Sequence, residues 1–138
     1  MKPIYLLVGV PGSGKTWVTE RVGSGFHHIS HDANLGRDYT EVLLKAAQGA
    51  DKPVLAETPF SMSKIIEPVT KAGCQVIPVI VTADTKDLSD RWNERNTSPV
   101  HRKGHITRQA TFVERATASG HFQGSSTDVL AFLKKVSG

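Results

Sequence analysis

Residues Gly9 to Thr16 read Gly-Val-Pro-Gly-Ser-Gly-Lys-Thr, and no other stretch constrains the fold of this chain as strongly. The segment fits the pattern G-x-x-x-x-G-K-[ST], a glycine-rich turn that must link a strand to a helix. Its flanks meet that requirement. The apolar run Ile4-Tyr5-Leu6-Leu7-Val8 reads as a buried strand, and Trp17-Val18-Thr19-Glu20-Arg21-Val22 reads as a helix. Gly9, Gly12 and Gly14 permit backbone angles and close approaches that side chains block. Consecutive N–H groups then curl around a phosphate at the positive end of the helix. Gly9, Pro11, Gly12, Ser13, Gly14, Lys15 and Thr16 are therefore expected to wrap the phosphates of a nucleoside triphosphate. Lys15 is expected to reach the β- and γ-phosphates, and the Thr16 hydroxyl to bind Mg²⁺.

The chain of 138 residues has the length of a single domain, residues 1–138, and can bury about two-thirds of its unfolded surface without staples. One cysteine, Cys74, excludes an internal disulfide framework, and its apolar context predicts a buried, inert thiol. Met1-Lys2-Pro3 leads straight into the first strand, which leaves no room for a signal peptide, and no apolar run approaches bilayer-spanning length. A cytoplasmic protein with no membrane partner is the expectation. The formal net charge of +4 tilts the choice of partner toward a polyanion, DNA or RNA.

Strand and helix patterns alternate from end to end. Further strands are expected at His27–Ser30, Pro53–Glu57, Gln75–Val81 and, as a vestige, His121–Gln123. Pro78 is tolerated if it sits at a strand edge or bulge. Helices are expected at about Arg37–Gln48, from a Ser61 cap through Met62, Ile65, Ile66 and Val69 to a stop at Gly73, and at Thr85–Arg95. A polar, basic stretch runs from Asn96 to His105, followed by helices at Thr107–Ser119 and after a cap at Ser126 or Thr127. Such alternation predicts an α/β chain with a parallel sheet covered on both faces, its ligands at the carboxyl ends of the strands.

The unusual polar residues fall at those ends. His31-Asp32 follows the second strand, and Asp32 is the candidate base that accepts the proton of an attacking hydroxyl; its alternative use is as a cap. His31 is a candidate acceptor contact, and Asp38 a weaker rival to Asp32. Glu57 ends the third strand, where it would hold a Mg²⁺-bound water or meet an acceptor hydroxyl. Phe60, in the following loop, either stacks on a base or packs in the core. Arg91 and Arg95 stand four apart on one helix face. With Arg102 they make residues 95–107 a candidate basic lid, able to exclude water and neutralise a transferring phosphoryl group. Trp92 is expected to face the core beside Leu88. His101 and His105 lack partners at zinc-ligand spacing.

The loop, Asp32, the acid-ended third strand and the segment Arg91-Trp92-Asn93-Glu94-Arg95-Asn96 together resemble small P-loop kinases. In particular, Gly9 to Lys15 is similar to the Gly-x-Pro-Gly-Ser-Gly-Lys loop in the kinase domain of phage polynucleotide kinases. The resemblance runs from the amino terminus to about Gly120. It implies a P-loop NTPase three-layer sandwich, with a parallel sheet of four to five strands, helices on both faces and a short lid. It implies ATP and Mg²⁺ as cofactors, activation of an acceptor hydroxyl by Asp32, and a phosphate contact from Arg91 or Arg95. The chain departs from the family in carrying His31-Asp32-Ala33 where an Arg-Asp-Asp-like run is typical, and it lacks a phosphatase half. Compact phage kinases that phosphorylate the hydroxymethyl group of modified pyrimidines such as 5-hydroxymethyluracil in DNA fit these departures better. Such an acceptor must leave the base stack to react.

Overall fold

The computed structural model describes residues 1–58 and 63–137, without the side chains of Asp32 and Ser63. Five strands, β1 (Ile4–Val8), β2 (His27–Ile29), β3 (Val54–Thr58), β4 (Val76–Val81) and β5 (Phe122–Gly124), form one sheet in the order β2-β3-β1-β4-β5. Every pairing is parallel. The helices are α1 (Lys15–Arg21), α2 (Tyr39–Gly49), α3 (Ser63–Lys71), α4 (Thr85–Glu94), α5 (Pro99–Ser119) and α6 (Ser126–Ser137). Among the described residues, no helix is long and apolar enough to cross a membrane.

The central strands β1 and β4 are apolar runs, as is β3 up to Glu57, because both sheet faces are covered. Ile4, Leu6 and Val8 of β1, with Val54 and Ala56 of β3, pack beneath Leu43 and Ala47 of α2, Ile65 and Val69 of α3, Leu88 and Trp92 of α4, and Phe112 and Ala116 of α5. Alternate residues point the other way: Leu7, Leu55, Val79 and Val81 meet Val18 and Val22 after the loop, and Val129 and Leu133 of α6. Cys74 belongs to the first of these layers, and burial pushes its thiol pKa up, as its sequence context predicts. The register aligns Val8 with Thr58 on one side and Ile80 on the other, so the chain leaves β1 between two neighbouring strand ends. This is where an open parallel sheet forms its crevice.

The expected α/β three-layer architecture is present, with differences at the element ends. The stretch 96–105 is not an irregular flap: α5 is helical from Pro99, eight residues before the expected start at Thr107. The reason is local. Pro99 occupies the first helical turn, where its missing N–H costs nothing, and the Ser98 hydroxyl accepts from the His101 amide at 3.3 Å. Gly104 lies inside the helix, a penalty of about 1 kcal/mol that the rest of the helix absorbs. The cap of α6 is Ser125, whose hydroxyl accepts from the Asp128 amide at 3.2 Å, rather than Ser126 or Thr127. Asp38 is the cap of α2, its carboxylate accepting from the Thr40 amide at 3.1 Å and the Glu41 amide at 3.4 Å. That role removes it from competition with Asp32. Pro78 lies where β4 pairs with β1 alone, since the β5 ladder starts at Val79. The expected Ser61 cap and Met62 lie outside the described residues.

The two-sided core makes a prediction. Leu7 is fully buried, whereas Leu35 is 69% exposed. Leu7→Ala is expected to lower unfolding stability by about 2–5 kcal/mol, and Leu35→Ala by less than about 0.5 kcal/mol, in urea denaturation.

Candidate phosphate-binding site

The loop between β1 and α1 is shaped by its glycines. A side chain at Gly9 would begin 2.5 Å from the Ser13 hydroxyl and 2.8 Å from the Val81 carbonyl oxygen, so only glycine fits. Gly12 and Gly14 take φ values of +85° and +111°, the left-handed region that L side chains avoid. A hydrogen bond of 3.1 Å from the Ser13 amide to the Val10 carbonyl closes the turn, and Gly14 accepts from the Val18 amide to start α1. Ser13 is buried, and its hydroxyl has no hydrogen-bond partner among the described residues.

Lys15 reaches back across this turn. Its Nζ donates to the Gly9 carbonyl at 2.6 Å and to the Thr58 carbonyl at 3.3 Å, which joins the loop to the end of β3. From the other side, α4 holds the loop by its carbonyls. The Trp92 indole N–H donates to the Pro11 carbonyl at 2.8 Å, and the Arg91 guanidinium donates to the Gly12 carbonyl. These two contacts pair the Pro11 and Gly12 carbonyls with α4. Trp92 is core-facing as expected, being 1% exposed, but its polar handle was missed. A buried indole needs an acceptor, and that requirement is the signal that could have found the contact.

Lys15, Thr16, Arg91 and Arg95 line one cavity of about 320 Å³, together with Gly12, Gly14, Trp17 and Ser126. Four residues singled out in the sequence therefore meet at one place. Ser126 arrives from α6, close against the loop: a side chain on Gly14 would begin 2.8 Å from its Cβ. Arg102 is not among the residues lining this cavity. Its guanidinium donates to the Thr97 carbonyl at 2.7 Å and to Asn93 Oδ1 at 2.6 Å, which ties α5 to the preceding turn.

The acceptor-side candidates gather around the ends of β2 and β3. The Tyr39 hydroxyl donates to the Glu57 carbonyl at 2.7 Å and lies 3.5 Å from that of Ile29, pinning the two strand ends together. Burial, and next the Glu57 charge, push the Tyr39 pKa well above its ordinary value, so it stays a neutral donor. His31 packs edge-on against the Tyr39 ring at 5.1 Å. Strand alternation puts Glu57 on the sheet face of Leu55, the face that α1 covers, because Ala56 belongs to the opposite layer. Asp32 opens a 3-10 turn, Asp32–Asn34, directly after β2. Its side chain, like Phe60, lies outside the described residues. No cluster of three or more His, Cys, Asp or Glu side chains able to hold a metal occurs among the described residues. Thr16 and Glu57 suit Mg²⁺ of the kind that takes one or two protein oxygens and fills its remaining positions with phosphates and water.

His105 supports the loop at one remove. Its ring packs 5.5 Å from that of Trp92, and its Nδ1 is buried without a partner among the described residues. Burial, then the charges of Arg108 and His101, lower its pKa from the ordinary 6.5. A depressed folded-state pKa means that the unfolded chain binds the proton more readily, so stability is lost as pH falls below about 6.5. His105→Gln is expected to flatten that acid-side decline in thermal melts taken between pH 7.5 and pH 5.5 (approximate settings around the imidazole range). An unchanged slope would remove His105 from the explanation.

No protein-family model and no curated protein matches the chain. The chain is similar to a number of solved structures, among them the following two. The crystal structure of APE1195 aligns with 99% of this chain and 94% of its own at a TM-score of 0.58 and 13% identity. The solution NMR structure of a de novo designed PLOOP2X3_50 fold protein aligns with 99% of this chain and 91% of its own at a TM-score of 0.53 and 13% identity. At such identity the likeness is one of fold. The chain has a P-loop fold, a five-stranded parallel sheet flanked by helices with the glycine-rich loop at the end of its central strand, and that fold is compatible with nucleotide binding.

Proposed function

We propose that this protein is an ATP- and Mg²⁺-dependent kinase that transfers the γ-phosphate to a hydroxyl on nucleic acid. The acceptor we favour is the hydroxymethyl group of 5-hydroxymethyluracil in phage DNA, with a polynucleotide 5′-hydroxyl as the next choice. One observation carries the reading: Lys15, Arg91 and Arg95 line the same cavity as the loop. Three cations there match the needs of phosphoryl transfer, in which positioning and charge neutralisation account for most of the catalysis. The net charge of +4 suits a polyanionic acceptor.

In this mechanism the loop amides and Lys15 hold the β- and γ-phosphates, and Arg91 and Arg95 neutralise the transferring group. Thr16 and Glu57 would hold the Mg²⁺, which supplies further charge neutralisation. The acceptor oxygen forms the new bond to the γ-phosphorus as the bond from that phosphorus to the β-bridging oxygen breaks. The hydroxyl proton passes to the Asp32 carboxylate, and ADP leaves. Tyr39 keeps the ends of β2 and β3 in register, so that the turn bearing Asp32 stays beside Glu57.

The acceptor is tested by incubating the protein with labelled ATP and duplex DNA, 5′-hydroxyl oligonucleotides, hydroxymethylated DNA, RNA and mononucleotides. Label confined to the hydroxymethylated DNA is the expected result. Label at strand ends would select the polynucleotide version, and label on mononucleotides a small-molecule kinase. Nucleotide binding with no acceptor labelled would make the protein a non-catalytic nucleotide-binding module. Asp32→Ala is expected to leave ATP binding near normal while transfer falls at least ~10²-fold. Undiminished turnover in that variant would end the assignment of Asp32 as base.

A further inference from the structure

Trp17 stands one residue beyond Thr16, lines the same cavity and remains 37% exposed. The inward residues of α1 and its end are Val18 and Val22; Trp17 belongs to neither buried cluster. Its ring is thus set apart from both buried cores and lies with the cavity lining instead. The ring is nevertheless held in place. The Arg21 guanidinium lies 4.4 Å from its centroid, and Arg21 also donates to the Trp17 carbonyl at 3.0 Å. This cation–π contact holds an indole among the residues that line the cavity, alongside the cations Lys15, Arg91 and Arg95.

The lining of the cavity combines two chemistries. Lys15 and the loop suit oxyanions, whereas the indole, with the Arg21 guanidinium over its ring, offers a flat aromatic surface. A phosphate chain has no use for such a surface; the planar base attached to one does. A volume of about 320 Å³ also lies within the range of sites that enclose whole small molecules rather than single ions.

We propose that Trp17 is the stacking platform for the nucleobase of the donor nucleotide whose phosphates occupy the loop. The proposal rests on the nucleoside-triphosphate reading of the cavity and adds the group that distinguishes a nucleotide from a bare polyphosphate. Trp17 touches the base and has no part in the transfer chemistry, so its contribution belongs to nucleotide affinity alone.

Calorimetry with a non-hydrolysable ATP analogue and with inorganic tripolyphosphate, each with Mg²⁺, separates base binding from phosphate binding. Trp17→Ala is expected to weaken the ATP analogue at least ~5-fold and to leave tripolyphosphate within about twofold of the unmodified protein. Trp17→Phe keeps an aromatic face and is expected to restore most of the ATP affinity, which shows that the alanine variant loses stacking rather than its fold. Unmodified protein that binds both ligands, with Trp17→Ala weakening neither or both alike, overturns the stacking role and leaves the phosphate loop standing. Unmodified protein that binds neither ligand overturns the loop reading and this inference with it.

Discussion

The bond from the Trp92 indole to the Pro11 carbonyl connects the core of this protein to its candidate site. Trp92 is among the largest fully buried side chains, packed in the layer that also holds Leu6, Val8 and Leu88. Its one polar atom must find an acceptor to be buried at all. The acceptor it finds is the backbone of the loop, so the packing of α4 sets the position of Pro11 and Gly12. Arg91, the adjacent residue, adds a second hold on the Gly12 carbonyl. The loop's curvature is thus maintained from both directions: by glycine conformations within, and by α4 from without.

Sheet order accounts for the rest of the placement. Because β1 lies between β3 and β4, the loop emerges with strand ends on both sides. One of them delivers Glu57 and Thr58, and Lys15 bonds the Thr58 carbonyl directly. On the outer side of β3, Tyr39 ties the Glu57 carbonyl to the end of β2, after which the turn holding Asp32 begins. Side-chain bonds to the carbonyls of β3 therefore join the glycine-rich loop to the ends of β3 and β2.

Much of this was readable because the relevant signals are local. The spacing of Gly9, Gly12, Gly14, Lys15 and Thr16 announces the loop, and the apolar runs on either side of it announce a buried parallel sheet. Arg91 and Arg95 were legible as one helix face from their spacing of four. The start of α5 was misplaced because Pro99 and Gly104 look like punctuation, although proline in a first turn opens a helix rather than ending one. The bonds of Arg102 to Thr97 and Asn93 are partners that charge counting could not identify. Trp17 was read only as part of a helix, since nothing in the sequence distinguishes an aromatic residue facing a cavity from one facing the core.

The sequence by itself determined the loop, its flanking strand and helix, and the two-sided burial of the sheet. Each follows from backbone sterics or from hydrophobic periodicity over a few residues. Only the tertiary structure decided which distant groups complete the site: Arg91 and Trp92 from α4, Ser126 from α6, and the Thr58 carbonyl from β3. Those partners are separated from the loop by tens of residues, and their approach depends on strand order and on helices packing over both sheet faces, which no short-range pattern encodes.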